Sequence, residues 1–140
     1  MGAHDEYGKR VLLEATAGAV DQYGPGVEID YGTEFPARID GAVGGTIAIE
    51  IESRTGKQVR GAVLDLICHS YPKKLLVLLP VHMSDPVVIA EQCRNILARF
   101  VATEDFRVIV LDGHGHDPKA ERDVRTVAEA LRDLGFEGKS

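Results

Sequence analysis

Thr46-Ile47-Ala48-Ile49-Glu50-Ile51-Glu52-Ser53 is the stretch that decides the fold, because isoleucine recurs at every second position along it. Side chains alternate between the two faces of a β-strand, so the isoleucines share one face. The opposite face carries Ala48, Glu50 and Glu52. The stretch therefore predicts a strand with one apolar face and one face that ends in acids.

The residues before this strand predict its partner. Gly44-Gly45 suits a tight hairpin turn. Residues 37–43 alternate as well, with Ile39 and Val43 pointing one way. The other face of that segment carries Arg38, Asp40 and Ala42. We expect the two segments to pair as antiparallel neighbours, with the acids of both on one face of the sheet.

The remainder of the chain alternates helical and strand patterns. Apolar spacing predicts a first helix over residues 5–22 and a short strand over 27–31. Thr55-Gly56-Lys57-Gln58 has the form of a capping box and predicts a helix from Gly56. Residues 74–79 and 106–111 are apolar runs typical of buried strands. Ser84-Asp85-Pro86 and Asp117-Pro118 open two further helices.

This order, α-β-β-β-α-β followed by α-β-α, predicts an α/β fold with a mixed sheet flanked by helices. A chain of 140 residues suits one domain, here residues 1–140. The start of the chain lacks the pattern of a secretory signal, and the longest apolar run is too short to cross a bilayer. We therefore expect a cytoplasmic protein without a membrane partner. Cys68 and Cys93 are expected to be buried free thiols.

The formal net charge of −6 argues against a protein that coats nucleic acid without specificity, since phosphate binding needs a cationic surface. Acids at a metal site contribute negative charge of their own, so a nuclease is not excluded. Three acids on one sheet face would raise one another's pKa unless a cation compensates them. Hard divalent cations prefer such an oxygen-rich site. Asp40, Glu50 and Glu52 thus form a candidate metal-binding cluster.

The arrangement resembles the PD-(D/E)XK, or restriction endonuclease-like, nucleases over roughly residues 5–80. That family has an acid on the second strand and an acid-x-lysine pattern on the third. Ile39-Asp40-Gly41 is similar to the first element, and Glu50-Ile51-Glu52 is similar to the second. Two departures stand out. Pro36 does not directly precede the acid, and Glu52 occupies the lysine position, as in some type II restriction enzymes.

The resemblance implies a metal-dependent endodeoxyribonuclease with Mg²⁺, or Mn²⁺ in its place, as cofactor and DNA as partner. Asp40, Glu50 and the Ile51 carbonyl would hold the metal, and Glu52 would orient or deprotonate a water. Lys57 is a candidate for the missing cation. Glu14 is a candidate auxiliary acid. The residues expected to meet phosphates are Arg38, Arg54 and Lys57.

Alternatives remain at this stage. The acids can be the wet face of an antiparallel sheet, and the lysine-to-glutamate departure fits an inactive DNA-binding or assembly module. The loop from Asp112 to Asp117, with His114 and His116, suggests a zinc or ligand site, although a glycine-rich connection explains it more simply. A homodimer would place two sites on a duplex. The sequence leaves open whether DNA or RNA is cut.

Overall fold

The computed structural model describes residues 3–113 and 120–138, and these form a mixed sheet between two layers of helices. The sheet order is β3 (Gly41–Val43), β4 (Ile47–Glu52), β5 (Lys73–Leu78) and β6 (Phe106–Val110). β3 is antiparallel to β4, whereas β4, β5 and β6 are mutually parallel. The helices are α1 (Ala3–Ala15), α2 (Gly56–Cys68), α3 (Pro86–Leu97) and α4 (Ala120–Asp133). The predicted α/β class and mixed sheet are confirmed.

Two apolar cores cover the two faces of this sheet. α2 and α3 pack on one face, where they meet Ala48 of β4 and Leu76 of β5. α1 and α4 pack on the other, against Ile47 and Ile49 of β4. The isoleucine face of β4 is therefore buried as predicted. The acids of β4 face the α2 side, at the end of the strand from which the chain enters α2.

The predicted three-strand meander is wrong in one respect, because its first strand does not join the main sheet. β1 (Glu28–Ile29) pairs only with β2 (Ala37–Arg38), in a separate two-stranded sheet. The predicted second strand over residues 37–43 is broken between β2 and β3. The Ile39 amide bonds to Val27 at 2.9 Å, whereas the Asp40 amide bonds to Ile49 at 3.1 Å.

The chain therefore changes partner between Ile39 and Asp40, and this change disrupts the alternation. Ile39 and Val43, predicted to share a face, pack into the two different cores. Asp40 lies at the point of change and not within a regular strand. That position frees its side chain to turn along the edge of β4.

α1 ends earlier than the predicted boundary at residue 22. Ala17 and Gly18 have positive φ angles of 51° and 81°, and the Gly18 amide bonds to the Leu13 carbonyl at 2.9 Å. This left-handed pair stops the helix and satisfies a terminal carbonyl. The following segment returns to the edge of β3, where Asp21 forms a bridge with Ala42.

The helices after β4 and β5 begin where the sequence predicts. α2 starts at Gly56, but Thr55 caps it without a side-chain hydrogen bond, so the expected capping-box contact is absent. The Asp85 carboxylate caps α3 by accepting from the Val88 amide at 3.2 Å. The predicted start of the last helix at Asp117 lies outside the described residues.

A buried carboxylate fixes the end of β6 to α4 and α1. Asp123 is 1% exposed and accepts the Asp112 and Gly113 amides, each at 2.8 Å. Its third partner is the Tyr7 hydroxyl at 2.5 Å. Three donors on one buried carboxylate compensate its desolvation and join elements that are distant in sequence.

Two predictions from the sequence concern membrane-spanning helices and the burial of the cysteines. Over residues 3–113 and 120–138, every helix falls short of the length and apolar character that a bilayer crossing demands. Both cysteines are free thiols. Cys93 is buried as expected, but Cys68 is exposed at the end of α2, which corrects the prediction that both are buried.

Candidate active site

Asp40 and Glu50 lie side by side where β3 begins. The register pairs Gly41 with Ile49, which brings the residue before β3 against the second half of β4. The Asp40 amide donates to Glu50 Oε1 at 2.9 Å, and the Ile51 amide donates to Asp40 Oδ2 at 2.7 Å. These reciprocal bonds fix both carboxyl groups beside each other.

Burial makes this pair of acids unfavourable in its doubly charged form. Desolvation, followed by the charges of Asp40 and Asp65, raises the pKa of Glu50 to about 9. Desolvation also raises the pKa of Asp40, although the Ile51 amide, Glu50 and Lys9 act against that rise. Glu50 therefore carries a proton at neutral pH in the protein alone. A cation between the carboxylates would replace that proton.

The Ile51 carbonyl faces the same edge of β4 as Asp40. The amide and the carbonyl of one residue in a strand point to the same side, and the Ile51 amide reaches the Asp40 carboxylate. Ile51 also lines the cavity described below. The three groups predicted to hold a metal therefore lie at the same edge of β4 and line one cavity.

Glu52 is engaged by an arginine of the same segment. Arg54 Nε contacts Glu52 Oε2 at 2.9 Å, and Arg54 Nη2 contacts Oε1 at 3.0 Å. The Ser53 and Arg54 amides also donate to Oε2, at 3.0 and 2.9 Å. Glu52 is 6% exposed, so these bonds compensate its buried charge. Its oxygens are committed, and its main effect is to hold the Arg54 guanidinium.

A cavity of about 300 Å³ opens above these acids. It has the mixed charge of a site for an anionic substrate with a cation, since basic side chains surround the carboxylates. Of the predicted phosphate contacts, Arg38 and Arg54 line it. The complete lining among the described residues is Lys9, Arg38, Asp40, Glu50, Ile51, Glu52, Arg54 and Asp65.

Sequence reasoning missed two of these residues, Lys9 and Asp65. Lys9 reaches the cavity from α1, and its charge lowers the pKa of Asp40. Asp65 reaches it from α2, raises the pKa of Glu50 and accepts the Tyr31 hydroxyl at 2.7 Å. Neither residue breaks the apolar spacing of its helix, so no local pattern distinguishes it from an ordinary surface charge.

The absence of a side chain at Gly8 explains how Lys9 comes close to Asp40. A Cβ atom at Gly8 would lie 2.7 Å from Ile51 Cγ2, closer than packed carbon atoms approach. The absence of a side chain lets α1 rest directly on the end of β4. The next residue, Lys9, is thereby placed beside Asp40.

Two other predicted site residues lie elsewhere. Lys57 is exposed in the first turn of α2, and Glu14 is exposed near the end of α1. Among the described residues that line the cavity, neither is present. The basic and acidic side chains that α1 and α2 bring to the cavity are instead Lys9 and Asp65.

The donor set determines which metal could be held. Within the two described stretches, no group of three or more His, Cys, Asp or Glu side chains is arranged to hold a metal ion. Mg²⁺ needs fewer protein ligands than that, since it often binds through one or two carboxylates and keeps several waters. Asp40 and Glu50, with the Ile51 carbonyl, fit this limited requirement.

The alternative zinc or ligand site cannot be placed in the same way, because His114, His116 and Asp117 lie outside the described residues. Asp112, at the start of that loop, forms an ion pair with Arg122 at 2.8 Å.

Comparison with known proteins adds no relative. No protein-family model matches the chain, and no curated protein or solved structure shows a significant match.

Proposed function

We propose that this chain is a Mg²⁺-dependent endonuclease that hydrolyses phosphodiester bonds in DNA, as its resemblance to the PD-(D/E)XK nucleases implies. The observation that supports this most is the buried Asp40–Glu50 pair, whose raised pKa values favour a cation between the two carboxylates. Mn²⁺ is expected to substitute for Mg²⁺, since it accepts the same oxygen ligands.

Asp40, Glu50 and the Ile51 carbonyl would hold the metal, which supplies an acidified water and stabilises charge on the phosphate. The protein's own contribution is to fix these oxygens. The Asp40 amide orients Glu50, and the Ile51 amide orients Asp40. Glu50 gives up its proton when the cation arrives, so binding strengthens as pH rises toward 9.

The basic side chains of the cavity would position the phosphate. The charge of Lys9 lowers the pKa of Asp40, and we assign to Lys9 the cationic role of the family's lysine. Arg54 is held by Glu52 in a fixed orientation with its side chain 67% exposed, which suits contact with a phosphate oxygen. Arg38 lines the same cavity. Glu52 thus acts through Arg54 more than on the water.

The same proposal includes a restriction endonuclease-like core for this fold. The antiparallel β3–β4 pair, the parallel β5 and the helix α2 between them fit a restriction endonuclease-like core. We further propose a cytoplasmic protein that acts as a homodimer, which would place two active sites on one DNA duplex.

The direct test is cleavage of plasmid, linear and branched DNA with Mg²⁺, Mn²⁺ or EDTA. We expect Asp40→Ala and Glu50→Ala each to reduce cleavage by at least about a hundredfold. Glu91→Gln, a change of an exposed acid on α3, is the matched control and should leave cleavage unchanged. Metal-dependent cleavage that persists in Asp40→Ala would contradict the proposal, and an RNA substrate tests the choice of DNA.

Two lysine variants test the role assigned to Lys9. Lys9→Met removes the cation inside the cavity, and we expect about a hundredfold loss of cleavage because one preorganised charge is lost. Lys57→Met removes the lysine expected from the sequence. If Lys57→Met abolishes cleavage and Lys9→Met does not, the role returns to Lys57.

A second candidate is an inactive nuclease-like module that binds DNA without cutting it. The engagement of Glu52 by Arg54 favours this reading, because it leaves the lysine position of the motif without a free reactive group. DNA binding without cleavage under every metal condition would support this candidate.

A further inference from the structure

Two aromatic side chains that precede β3 in the chain stand in water. Tyr23 and Phe35 are each 80% exposed. Tyr23 follows the bridge at the edge of β3, and Phe35 lies in the hairpin between β1 and β2. Of the two, Tyr23 lies in a cavity with Lys9, Arg38 and Asp40, so its exposed ring stands beside charged groups.

The backbone brings Tyr23 next to Asp40. Asp21 and Ala42 exchange two hydrogen bonds, at 2.7 and 2.9 Å, in an antiparallel bridge. Because the bridge is antiparallel, the chain that continues from Asp21 to Tyr23 runs toward the residues that precede Ala42. Tyr23 therefore reaches the start of β3, where the acid pair lies.

A second, smaller cavity joins Tyr23 to the site. It measures about 210 Å³ and is continuous in its lining with the first, since Lys9, Arg38 and Asp40 belong to both. Tyr23 adds an aromatic ring to its lining, and Gln22 adds a polar amide. Gln22 Nε2 is buried and has no hydrogen-bond partner among the described residues. A donor in this condition favours a ligand that brings an acceptor.

We propose that this second cavity takes one unpaired nucleotide of single-stranded DNA, with its base on the Tyr23 ring and its phosphate toward Lys9 and Arg38. Aromatic rings next to cations are the usual platform for single strands, because every base has a face that can stack. In a duplex those faces are already covered by neighbouring bases. The amide of Gln22, once turned outward, would meet a base carbonyl.

This inference rests on the proposed nuclease function, and it names the substrate as DNA with an unpaired segment at the scissile bond. It assigns Tyr23 to substrate binding and gives it no part in the chemistry. Loss of the ring should therefore weaken binding of single strands and leave binding of duplex DNA unaffected.

The chain has no tryptophan, so Tyr23→Trp introduces a single fluorescent reporter at the site. With Ca²⁺ in place of Mg²⁺, we expect a thymidine oligonucleotide to quench that tryptophan and a blunt duplex of equal length not to do so. Phe100→Trp is the matched control. Phe100 is 65% exposed and precedes β6, so it lies at the end of the parallel strands opposite the site, and its tryptophan should not be quenched.

Fluorescence anisotropy of a labelled thymidine oligonucleotide measures the affinity. We expect Tyr23→Ala to weaken single-strand binding about tenfold and duplex binding less than twofold, while Phe100→Ala changes neither. Equal losses on both DNA forms, or equal losses in both variants, would overturn the inference.

The two proposals can fail separately. Metal-dependent cleavage that requires Asp40, without selective loss in Tyr23→Ala, would refute the stacking site and leave the nuclease. Selective single-strand binding through Tyr23 without any cleavage would refute the nuclease and leave the binding site.

Discussion

Replacement of Glu50 by glutamine should remove the pH dependence that this residue gives to stability. The side chain is 8% exposed, and its pKa rises from 4.5 to about 9 in the folded protein. A raised pKa means that the stabilising contribution is complete below pH 4.5 and is lost as pH rises toward 9. Each pH unit between these values costs about 1.4 kcal/mol, so the loss reaches roughly 3 kcal/mol at pH 7.

Glutamine keeps the oxygen that accepts the Asp40 amide and can donate to the Asp40 carboxylate in place of the shared proton. We therefore expect Glu50→Gln and the wild type to be equally stable near pH 4.5 in EDTA. At pH 7 the variant should exceed the wild type by roughly 3 kcal/mol. Groups remote from the pair contribute equally to both proteins, whereas Asp40 titrates together with Glu50, so part of the difference reflects the changed titration of Asp40.

The assay is urea denaturation followed by circular dichroism at several pH values from 5 to 8. Glu91→Gln makes the same chemical change at an exposed position of α3 and should follow the wild type throughout. With Mg²⁺ present, the wild type should recover stability at pH 8 and Glu50→Gln should not, since the cation replaces the proton only at a carboxylate. A difference between the two proteins that is constant from pH 5 to 8 would refute the reasoning.

Two further predictions concern the contacts that place α1. Gly8→Ala should destabilise the protein by about 1 kcal/mol, because the clash with Ile51 exceeds the gain in helix propensity, whereas Gly61→Ala, in open space on α2, should stabilise it by about 0.5–1 kcal/mol. Urea denaturation of both variants checks the pair, and equal effects would contradict the close approach of α1 to β4. Asp123→Ala should cost roughly 3 kcal/mol or more, because it leaves the Tyr7 hydroxyl and two backbone amides without their acceptor. Thermal unfolding measures that loss, and a change below about 0.5 kcal/mol would show that the network contributes little.

The helices and strands that the sequence predicted well are those specified by a few consecutive residues. The alternation of isoleucines predicts β4, and Asp85 followed by proline predicts the start of α3. β5 and β6 are short runs of apolar residues between helices. In each case a few consecutive side chains decide the conformation, since burial of one face or satisfaction of one helix end requires only near neighbours.

The arrangement of the candidate site could be predicted only in part. Asp40 and Glu50 were expected together because a glycine turn joins their segments, and the structure places them in contact. The break before Asp40, the separate β1–β2 sheet and the arrival of Lys9 and Asp65 were not expected. Each depends on which distant segment supplies a hydrogen-bond partner or a packing surface.

The sequence by itself determined the α/β class, the two-faced strand β4 and the pair of acids that its turn brings together. Only the tertiary structure decided which charges surround that pair. The reason is physical: alternation, capping and the contact of Arg54 with Glu52 act over a few residues, whereas the close packing of Gly8 on Ile51 and the arrival of Lys9 and Asp65 beside the acids depend on how elements meet in space.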